Sequence, residues 1–256
     1  MALARIAVLG AGTMGNGIAQ VFAQHGHFVV LRDLDRAILE RARTQIEKSL
    51  ARLAEKGKIP PGEMDEALAR ITLATEAGAL AECDLVVEAV VESLGVKTAV
   101  LQEADRITRP AAILASNTSS ISITKLGAAT RRPDKVIGMH FMNPVPIMAL
   151  VEVIRGQATS DETTRTVMDL ARSLGKTPVE VNDFPGFVSN RVLMPMINEA
   201  IFAVYEGVAK PEAIDDVLEA RIAAGRVSRS ASWSTAVLTP RLSTTASTTR
   251  SHSARA

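Results

Sequence analysis

The sequence predicts an α/β protein in which a doubly wound, mostly parallel sheet is followed by an all-helical region. Up to about residue 183, short apolar runs alternate with segments of helical periodicity, which is typical of consecutive β-α units. After Pro185 only helical segments follow, so we place a domain boundary near residues 182–186. A chain of 256 residues is long enough for this arrangement and for a sizeable core.

The strands are predicted from short apolar runs that end at glycine, polar or acidic residues. The first run, RIAVLG, enters a glycine cluster and is followed by a helix through GIAQVFAQ that ends at Gly26. From Leu34 to Leu53, apolar residues recur at the spacing of a long amphipathic helix that ends near Gly57. The predicted strands cover residues 5–10, 27–33, 71–75, 84–90, 111–117, 136–142 and 149–154.

The composition is that of a soluble globular protein. With 47% hydrophobic and 22% charged residues and a net charge of +1, nothing suggests nucleic acid or an anionic membrane as partner. No apolar stretch approaches the roughly 20 residues that span a bilayer, and the first strand begins too early for a signal peptide. The single cysteine, Cys83, fits a reducing compartment, so we expect a cytoplasmic protein, and no metal site is predicted.

Residues 10–15, GAGTMG, match G-x-G-x-x-G directly after the first strand. Alone, the pattern also fits an ordinary tight turn, but here strand, glycines, helix, second strand and acidic residue come in the order of a dinucleotide-binding unit. Gly10 would make the turn, Gly12 would admit a pyrophosphate, and Gly15 would let helix and strand pack closely. The sequence therefore predicts a Rossmann-like domain with cofactor contacts from Gly10, Gly12, Thr13, Met14, Gly15 and Asp33.

Asp33 ends the second strand, where a carboxylate would bind the adenosine ribose hydroxyls. Asp33 favours NAD, because a 2′-phosphate would meet its negative charge. Arg32 beside it leaves NADP open, although we interpret Arg32 as a solvated charge at the strand end.

The stretch VIGMHFMNPVPIMALVEVI (136–154) places His140 and Glu152 in two apolar runs joined by a proline-containing turn. Alone, His140 would fit a core histidine bonded to a backbone carbonyl. An unpaired Glu152 in such a strand would be costly, so we predict that the two side chains meet. The carboxylate would then orient the imidazole and leave its other nitrogen free as a general base.

Two polar segments supply further candidates. ASNTSSISI (115–123) fits a helix N-cap cluster, but it also follows a strand at the edge where open α/β sheets bind ligands, so Ser119 could face a substrate oxygen. Asn190 must hydrogen-bond either a neighbouring helix or the site, because we expect it on a buried stripe. The stripe comprises Asn190, Met194, Ile197 and Ile201.

Taken together, GAGTMG, ASNTSS, GMHFMNPVP, LVEVI and PGFVSNR resemble the 3-hydroxyacyl-CoA dehydrogenase family, from about residue 4 to about residue 218. Length and motif order are most similar to its small bacterial 3-hydroxybutyryl-CoA members. The resemblance implies NAD(P)-dependent interconversion of an L-3-hydroxyacyl-CoA and its 3-ketoacyl-CoA. It also implies a Rossmann-like domain, residues 1–183, followed by a helical domain that provides the interface of a homodimer.

The resemblance implies a role for each matching residue. His140 becomes the general base and Glu152 its orienting partner, while Ser119 and Asn190 donate hydrogen bonds around the reacting oxygen and thioester. Further cofactor contacts are implied for Glu92, Lys97, Ser119 and Asn143. Substrate contacts are implied for Ser49, Lys56, Ser119 and Asn190.

The last residues, 226–256, depart from the family. They are rich in Ser, Thr and Arg, contain no acidic residue and show no periodicity, so we expect disorder. The family continues with further helices after a segment like EAIDDV. We therefore interpret residues 184–225 as the start of a truncated or frameshifted helical domain whose apolar faces lack partners.

Two other functions stay open beside a short-chain 3-hydroxyacyl-CoA dehydrogenase. The chain could bind NADH without turnover, because the departure at the C-terminus removes support from the site. It could also be a related dehydrogenase that acts on a hydroxy acid without CoA. Nucleic-acid binding is disfavoured, because the arginines of residues 226–256 lack interleaved aromatic residues.

Overall fold

The fold is taken from a computed structural model that describes residues 3–60 and 62–227, with side chains up to residue 220. One eight-stranded sheet has the order β3-β2-β1-β4-β5-β6-β7-β8. β6 and β7 pair antiparallel and all other neighbours are parallel, so the predicted α/β class is confirmed. The strands are β1 (Arg5–Leu9), β2 (Phe28–Arg32), β3 (Ile71–Ala74), β4 (Leu85–Glu88), β5 (Ile113–Ser116), β6 (Val136–Phe141), β7 (Leu150–Arg155) and β8 (Thr177–Asn182).

Helices follow most strands, as a doubly wound sheet requires. Two short 3-10 helices, Ala77–Leu80 and Pro133–Lys135, complete the connections. The α-helices are α1 (Thr13–Gln24), α2 (Arg36–Glu55), α3 (Glu63–Ala69), α4 (Leu94–Ile107), α5 (Ile123–Ala128), α6 (Asp161–Ser173), α7 (Ser189–Tyr205) and α8 (Pro211–Val227).

The sheet buries apolar side chains on both faces, because successive residues of a strand point to opposite sides. In β1, Ile6 and Val8 belong to the core cluster on one side, together with residues of α1 and α2. Ala7 and Leu9 belong to the cluster on the other side, together with Leu101 of α4. This two-sided burial explains why β1 reads as a continuous apolar run.

The start of α2 is fixed by a side-chain cap. The Asp35 carboxylate accepts a hydrogen bond from the Ala37 N–H at 2.7 Å, which satisfies one of the free amides at the helix start. Leu34 was expected on the apolar stripe of this helix, but it precedes the helix and is 84% exposed. The buried stripe of α2 consists of Leu39, Ala42, Ile46 and Leu50.

Strand β8 is absent from the sequence prediction. Its sequence, TPVEVN, contains Pro178, and among the described strands β8 pairs with β7 alone, at the edge of the sheet. Proline cannot donate to a ladder and is tolerated mainly in edge strands, so its presence argued against a strand. Edge position also explains why most of β8 is exposed.

The chain divides into two compact units, the first ending at Met194 and the second beginning at Pro195. The division comes inside α7, later than the predicted boundary at residues 182–186. The domain limits at residues 183 and 225 stay predictions. α8 ends at Val227, so the segment predicted to be disordered lies outside the described residues from 228 onward.

The apolar stripe predicted on α7 is not buried. Met194, Ile197 and Ile201 are 52%, 43% and 62% exposed. Ile197 and Ile201 line a cleft that α7 forms with α8, which leaves them only half covered. Only Asn190, one turn earlier, is partly covered. Among residues 3–60 and 62–227, no helix combines the length and the apolar character needed to cross a membrane.

Candidate active site

The antiparallel pairing of β6 and β7 places His140 directly opposite Glu152. The imidazole Nδ1 lies 2.9 Å from the Glu152 Oε2, and the two side chains are only 7% and 2% exposed. A carboxylate can only accept, so Nδ1 carries the proton in this contact and Nε2 is left as the acceptor of a neutral ring. The predicted contact between the two side chains is therefore present.

Glu152 accepts three more hydrogen bonds from the start of α7. The backbone amides of Val188 and Ser189 lie 3.1 Å and 2.9 Å from Oε1, and the Ser189 hydroxyl lies 2.6 Å from Oε2. Burial alone would raise the pKa of Glu152, but the hydrogen bonds from His140, Ser189 and Val188 outweigh it and lower the pKa to about 2. Glu152 is therefore an ionised carboxylate in a buried position.

The free side of the imidazole meets a hydroxyl. The Ser119 Oγ lies 2.9 Å from the His140 Nε2, and Ser119 is partly exposed. The ring of Phe187 packs near the imidazole, with 5.9 Å between the ring centres. His140 is thus held by a carboxylate on one side and faces an accessible hydroxyl on the other, which is the geometry that proton transfer requires.

Hydrogen bonds to three other segments hold the loop that carries Ser119. The Glu92 carboxylate accepts the Ser119 and Ser120 amides at 3.0 Å and 3.1 Å. The Asn117 side-chain oxygen accepts the Phe141 amide of β6 at 2.9 Å, which joins the loop to the strand of His140. The Asn190 amide nitrogen lies 3.5 Å from the Ser119 carbonyl oxygen, at the outer limit of a hydrogen bond.

A buried ion pair lies at the start of this loop. The Lys97 ammonium is 2.7 Å from the Glu88 Oε1 and 3.2 Å from the Glu92 Oε2, and Lys97 is 1% exposed. The Ser116 hydroxyl donates to the other Glu88 oxygen at 2.6 Å. Burial opposes ionisation of Glu92, but the hydrogen bond from Thr118 and the charge of Lys97 lower its pKa.

The glycine loop has the shape that a dinucleotide requires. Gly10 has φ +94°, and a side chain there would meet the Ala89 carbonyl oxygen at 2.7 Å, while one at Gly15 would lie 1.7 Å from the Gly10 carbonyl oxygen. A side chain at Gly12 would meet no atom of another described segment within 4 Å, which leaves room for a phosphate at the N-terminus of α1. The Asp33 carboxylate accepts the Ala11 amide at 2.8 Å, so it lies beside the same loop.

Arg32 is not the solvated charge that the sequence suggested. It is 8% exposed, its guanidinium pairs with Glu103 of α4 at 2.7 Å, and its Nε donates to the Thr75 carbonyl at 3.3 Å. The expectation was wrong because alternation along β2 turns Arg32 to the face of the sheet that α4 covers, away from Asp33. The guanidinium charge of Arg32, which had kept NADP open as the cofactor, is therefore paired with Glu103.

The remaining predicted residues are Ser49 and Lys56 near the C-terminal end of α2, Asn143 after β6, and Met14 on α1. A cavity of about 310 Å³ brings Ser49 and Asn143 together with Thr13 of the glycine loop. The same cavity is lined by Lys48 and Arg52, which give it a cationic side. Lys56 is exposed at the end of α2 and does not line this cavity, and Met14 is partly buried in α1.

Sequence reasoning missed three polar residues that shape the site: Glu88, Asp183 and Ser189. Asp183 accepts the Ser122 hydroxyl at 2.7 Å and the Thr124 amide at 2.8 Å, which joins the segment before α7 to the loop after Ser119. Local sequence patterns do not predict the contacts of Asp183 and Ser189, since these join residues 61 and 37 positions apart. A signal existed only for Glu88, an acidic residue at the end of an apolar strand.

Two family models together cover most of the chain. Residues 5–184 match the model described as 3-hydroxyacyl-CoA dehydrogenase, NAD binding domain. Residues 186–225 match the model described as 3-hydroxyacyl-CoA dehydrogenase, C-terminal domain. The first of these models alone spans well over half of the sequence.

Individual relatives agree with these models. A probable 3-hydroxybutyryl-CoA dehydrogenase of Bacillus subtilis is 55% identical over 219 residues, which are 86% of this chain and 76% of the relative. One from Deinococcus radiodurans is 56% identical, over 84% of this chain and 77% of the relative. The crystal structure of (S)-3-hydroxybutyryl-CoA dehydrogenase from Ralstonia eutropha superposes with a TM-score of 0.80 at 48% identity, covering 83% of this chain and 75% of that one.

Proposed function

Because the chain belongs to the 3-hydroxyacyl-CoA dehydrogenase family of NAD-dependent enzymes, we propose that it interconverts a short-chain L-3-hydroxyacyl-CoA and the corresponding 3-ketoacyl-CoA. One observation carries the proposal. His140 is fixed by the ionised Glu152 through Nδ1, and its Nε2 faces the accessible Ser119 hydroxyl at 2.9 Å. A histidine held in this way can accept and return one proton at a defined point.

His140 is the general base of the oxidation. Its Nε2 takes the proton of the substrate 3-hydroxyl while hydride leaves C3, and Glu152 stabilises the imidazolium that forms. In the reduction the imidazolium returns the proton to the 3-keto oxygen. Bound NAD supplies the hydride acceptor for oxidation, and NADH supplies the donor for reduction.

Ser119 and Asn190 donate hydrogen bonds to the oxygen and thioester of the substrate. Both side chains are partly accessible, and the loop of Ser119 is tied to Glu92 and to β6, so the donors need little reorganisation when charge develops on the oxygen. Asn117 and Glu88 act through this loop and do not touch the substrate. The same preorganisation stabilises the transition state more than the bound substrate.

The cofactor is held by the glycine loop and by the polar groups that surround it. The free backbone amides at the start of α1 would hold the pyrophosphate, and Asp33 would accept the adenosine ribose hydroxyls. Glu92 and Asn143 would hold the nicotinamide half, and Lys97 would act with them through its ion pair with Glu92. The cofactor-binding residues are Gly10, Gly12, Thr13, Met14, Gly15, Asp33, Glu92, Lys97, Ser119 and Asn143.

Ser49 and Lys56, near the C-terminal end of α2, bind the CoA part of the substrate. Ser49 lines a cavity with a cationic side, which suits the phosphates of CoA.

Exposed apolar side chains on α7, such as Ile201, support a homodimer. A single, buried Cys83 supports a cytoplasmic location.

The test is oxidation of NADH by the purified chain with acetoacetyl-CoA, with free acetoacetate and NADPH in parallel. We expect turnover with acetoacetyl-CoA, at least tenfold less with acetoacetate, and a preference for NADH. Equal turnover of acetoacetate would favour a hydroxy-acid dehydrogenase that does not need CoA. A folded chain that binds NADH and turns over neither substrate would contradict the proposal.

A further inference from the structure

Glu152 accepts a hydrogen bond from the Ser189 hydroxyl that the proposed catalytic mechanism does not use. Each carboxylate oxygen accepts two donors. Oε1 accepts the two amides at the start of α7, whereas Oε2 accepts His140 Nδ1 at 2.9 Å and the Ser189 hydroxyl at 2.6 Å. The serine hydroxyl and the imidazole therefore share one oxygen, and the serine makes the shorter contact.

We propose that Ser189 is a positioning residue that tunes the proton affinity of His140 through their shared oxygen on Glu152. The inference rests on the proposed role of His140 as general base. A hydroxyl that donates to Oε2 draws negative charge toward itself, so the carboxylate stabilises the neighbouring imidazolium less than it would alone. Ser189 thereby keeps His140 easier to deprotonate at neutral pH, which favours its action as a base.

The site contains few other charges that could produce the same effect. Among the described residues, Glu152 is the only carboxylate hydrogen-bonded to His140. Glu92 reaches the site through the Ser119 amide at 3.0 Å, and its charge is paired with Lys97 at 3.2 Å. On the α7 side the donors to Glu152 are the Val188 and Ser189 groups, which do not titrate in the range of the assay.

Ser189 also fixes the geometry of the carboxylate. Its backbone N–H donates to Oε1 of Glu152 at 2.9 Å, and its hydroxyl donates to Oε2 at 2.6 Å. Ser189 therefore contacts both carboxylate oxygens. Without the hydroxyl, Glu152 keeps both amide contacts and the imidazole contact. A substitution by alanine therefore changes the charge on Oε2 while leaving the pair with His140 assembled.

The experiment compares Ser189→Ala with Ser189→Thr, which restores the hydroxyl, and with Ser173→Ala. The Ser173 hydroxyl donates to a backbone carbonyl on α6 at 2.7 Å, so this control removes a similar hydrogen bond elsewhere. The first readout is an NMR titration of the His140 ring, assigned through His140→Gln, which needs no turnover. The second is kcat/KM for NAD-dependent oxidation of 3-hydroxybutyryl-CoA between pH 5 and 9.

In Ser189→Ala we expect the His140 titration midpoint and the acid limb of the kcat/KM profile to move up by about half a pH unit or more. Activity should fall about threefold near pH 6 and stay close to wild type above pH 8. Ser189→Thr and Ser173→Ala should keep the wild-type midpoint. An unchanged midpoint, a shift to lower pH, or a loss of activity equal at every pH would overturn the proposal. Full turnover by His140→Gln would instead overturn the role of His140, whatever the titration shows.

Discussion

The replacement Glu152→Gln tests the ionised state of the buried carboxylate. The pKa of Glu152 is lowered from 4.5 to about 2. At ~1.4 kcal/mol per pH unit, this difference corresponds to about 3 kcal/mol of folding stability at neutral pH. A folded pKa below the unfolded one means that the contribution is fully present above about pH 4.5 and is lost as the pH falls toward 2. The amide side chain of this variant would also place an N–H₂ group at a point where the carboxylate now accepts hydrogen bonds.

The assay is urea unfolding followed by circular dichroism at pH 7, 5 and 3, in wild type and Glu152→Gln. We expect a gap in the free energy of unfolding of about 3 kcal/mol at pH 7 that narrows steadily below pH 4.5. The control is Glu180→Gln on the adjacent strand β8, where the carboxylate is 47% exposed and pairs with Arg155 at 3.2 Å. That change should cost less than about 1 kcal/mol.

The same variant should lose activity, because an N–H₂ group in place of Oε2 cannot accept the hydrogen bond that fixes the tautomer of the imidazole. We expect kcat to fall by about 10²- to 10⁴-fold, the usual contribution of a general base.

In the unfolding assay, a difference in unfolding free energy between wild type and Glu152→Gln that is the same at pH 7 and pH 3 would refute an ionised Glu152. A gap below about 1 kcal/mol at pH 7 would refute the magnitude.

Two further substitutions test the cofactor site, and a third tests the choice of cofactor. In Gly15→Ala the new methyl group would lie 1.7 Å from the Gly10 carbonyl oxygen, so we expect loss of both stability and NADH binding by calorimetry. In Gly12→Ala the new methyl group would meet no atom of another described segment within 4 Å. This change should weaken NADH binding at least tenfold while leaving the unfolding free energy within about 1 kcal/mol of wild type. An unchanged NADH affinity would argue against a phosphate at Gly12. Glu103→Gln should break the 2.7 Å ion pair of Arg32 but leave the NADPH-to-NADH ratio of kcat/KM within about twofold of wild type, because Arg32 lies on the face of the sheet away from Asp33. A several-fold rise in this ratio would show that Arg32 can reach the cofactor.

The local patterns of this sequence were strong enough to predict most of the sheet and the central contact of the site. Strands such as β1 are buried on both faces and read as continuous apolar runs, and the G-x-G-x-x-G loop identified the first β-α unit. The meeting of His140 and Glu152 was predictable because an unpaired Glu152 would be costly in an apolar strand, and two strands joined by a turn can bring such side chains together.

The features that could not be predicted from the sequence depend on contacts between distant segments. β8 was missed because Pro178 and the polar residues beside it break the apolar pattern, and only pairing with β7 makes it a strand. Arg32 was misjudged because its partner Glu103 lies 71 residues away. The hydroxyl of Ser189 reaches Glu152 across 37 residues. Neither partner is visible in local periodicity.

The most direct test of the proposed chemistry is His140→Gln, assayed for both turnover and cofactor binding. The predicted result is a kcat for acetoacetyl-CoA reduction lowered at least 100-fold, with an NADH Kd within about twofold of wild type. Binding is spared because the dinucleotide loop lies on β1, β2 and α1, whereas His140 lies on β6. A variant that keeps most of its turnover would contradict the account, because no other described residue stands between an ionised carboxylate and an accessible hydroxyl in this way.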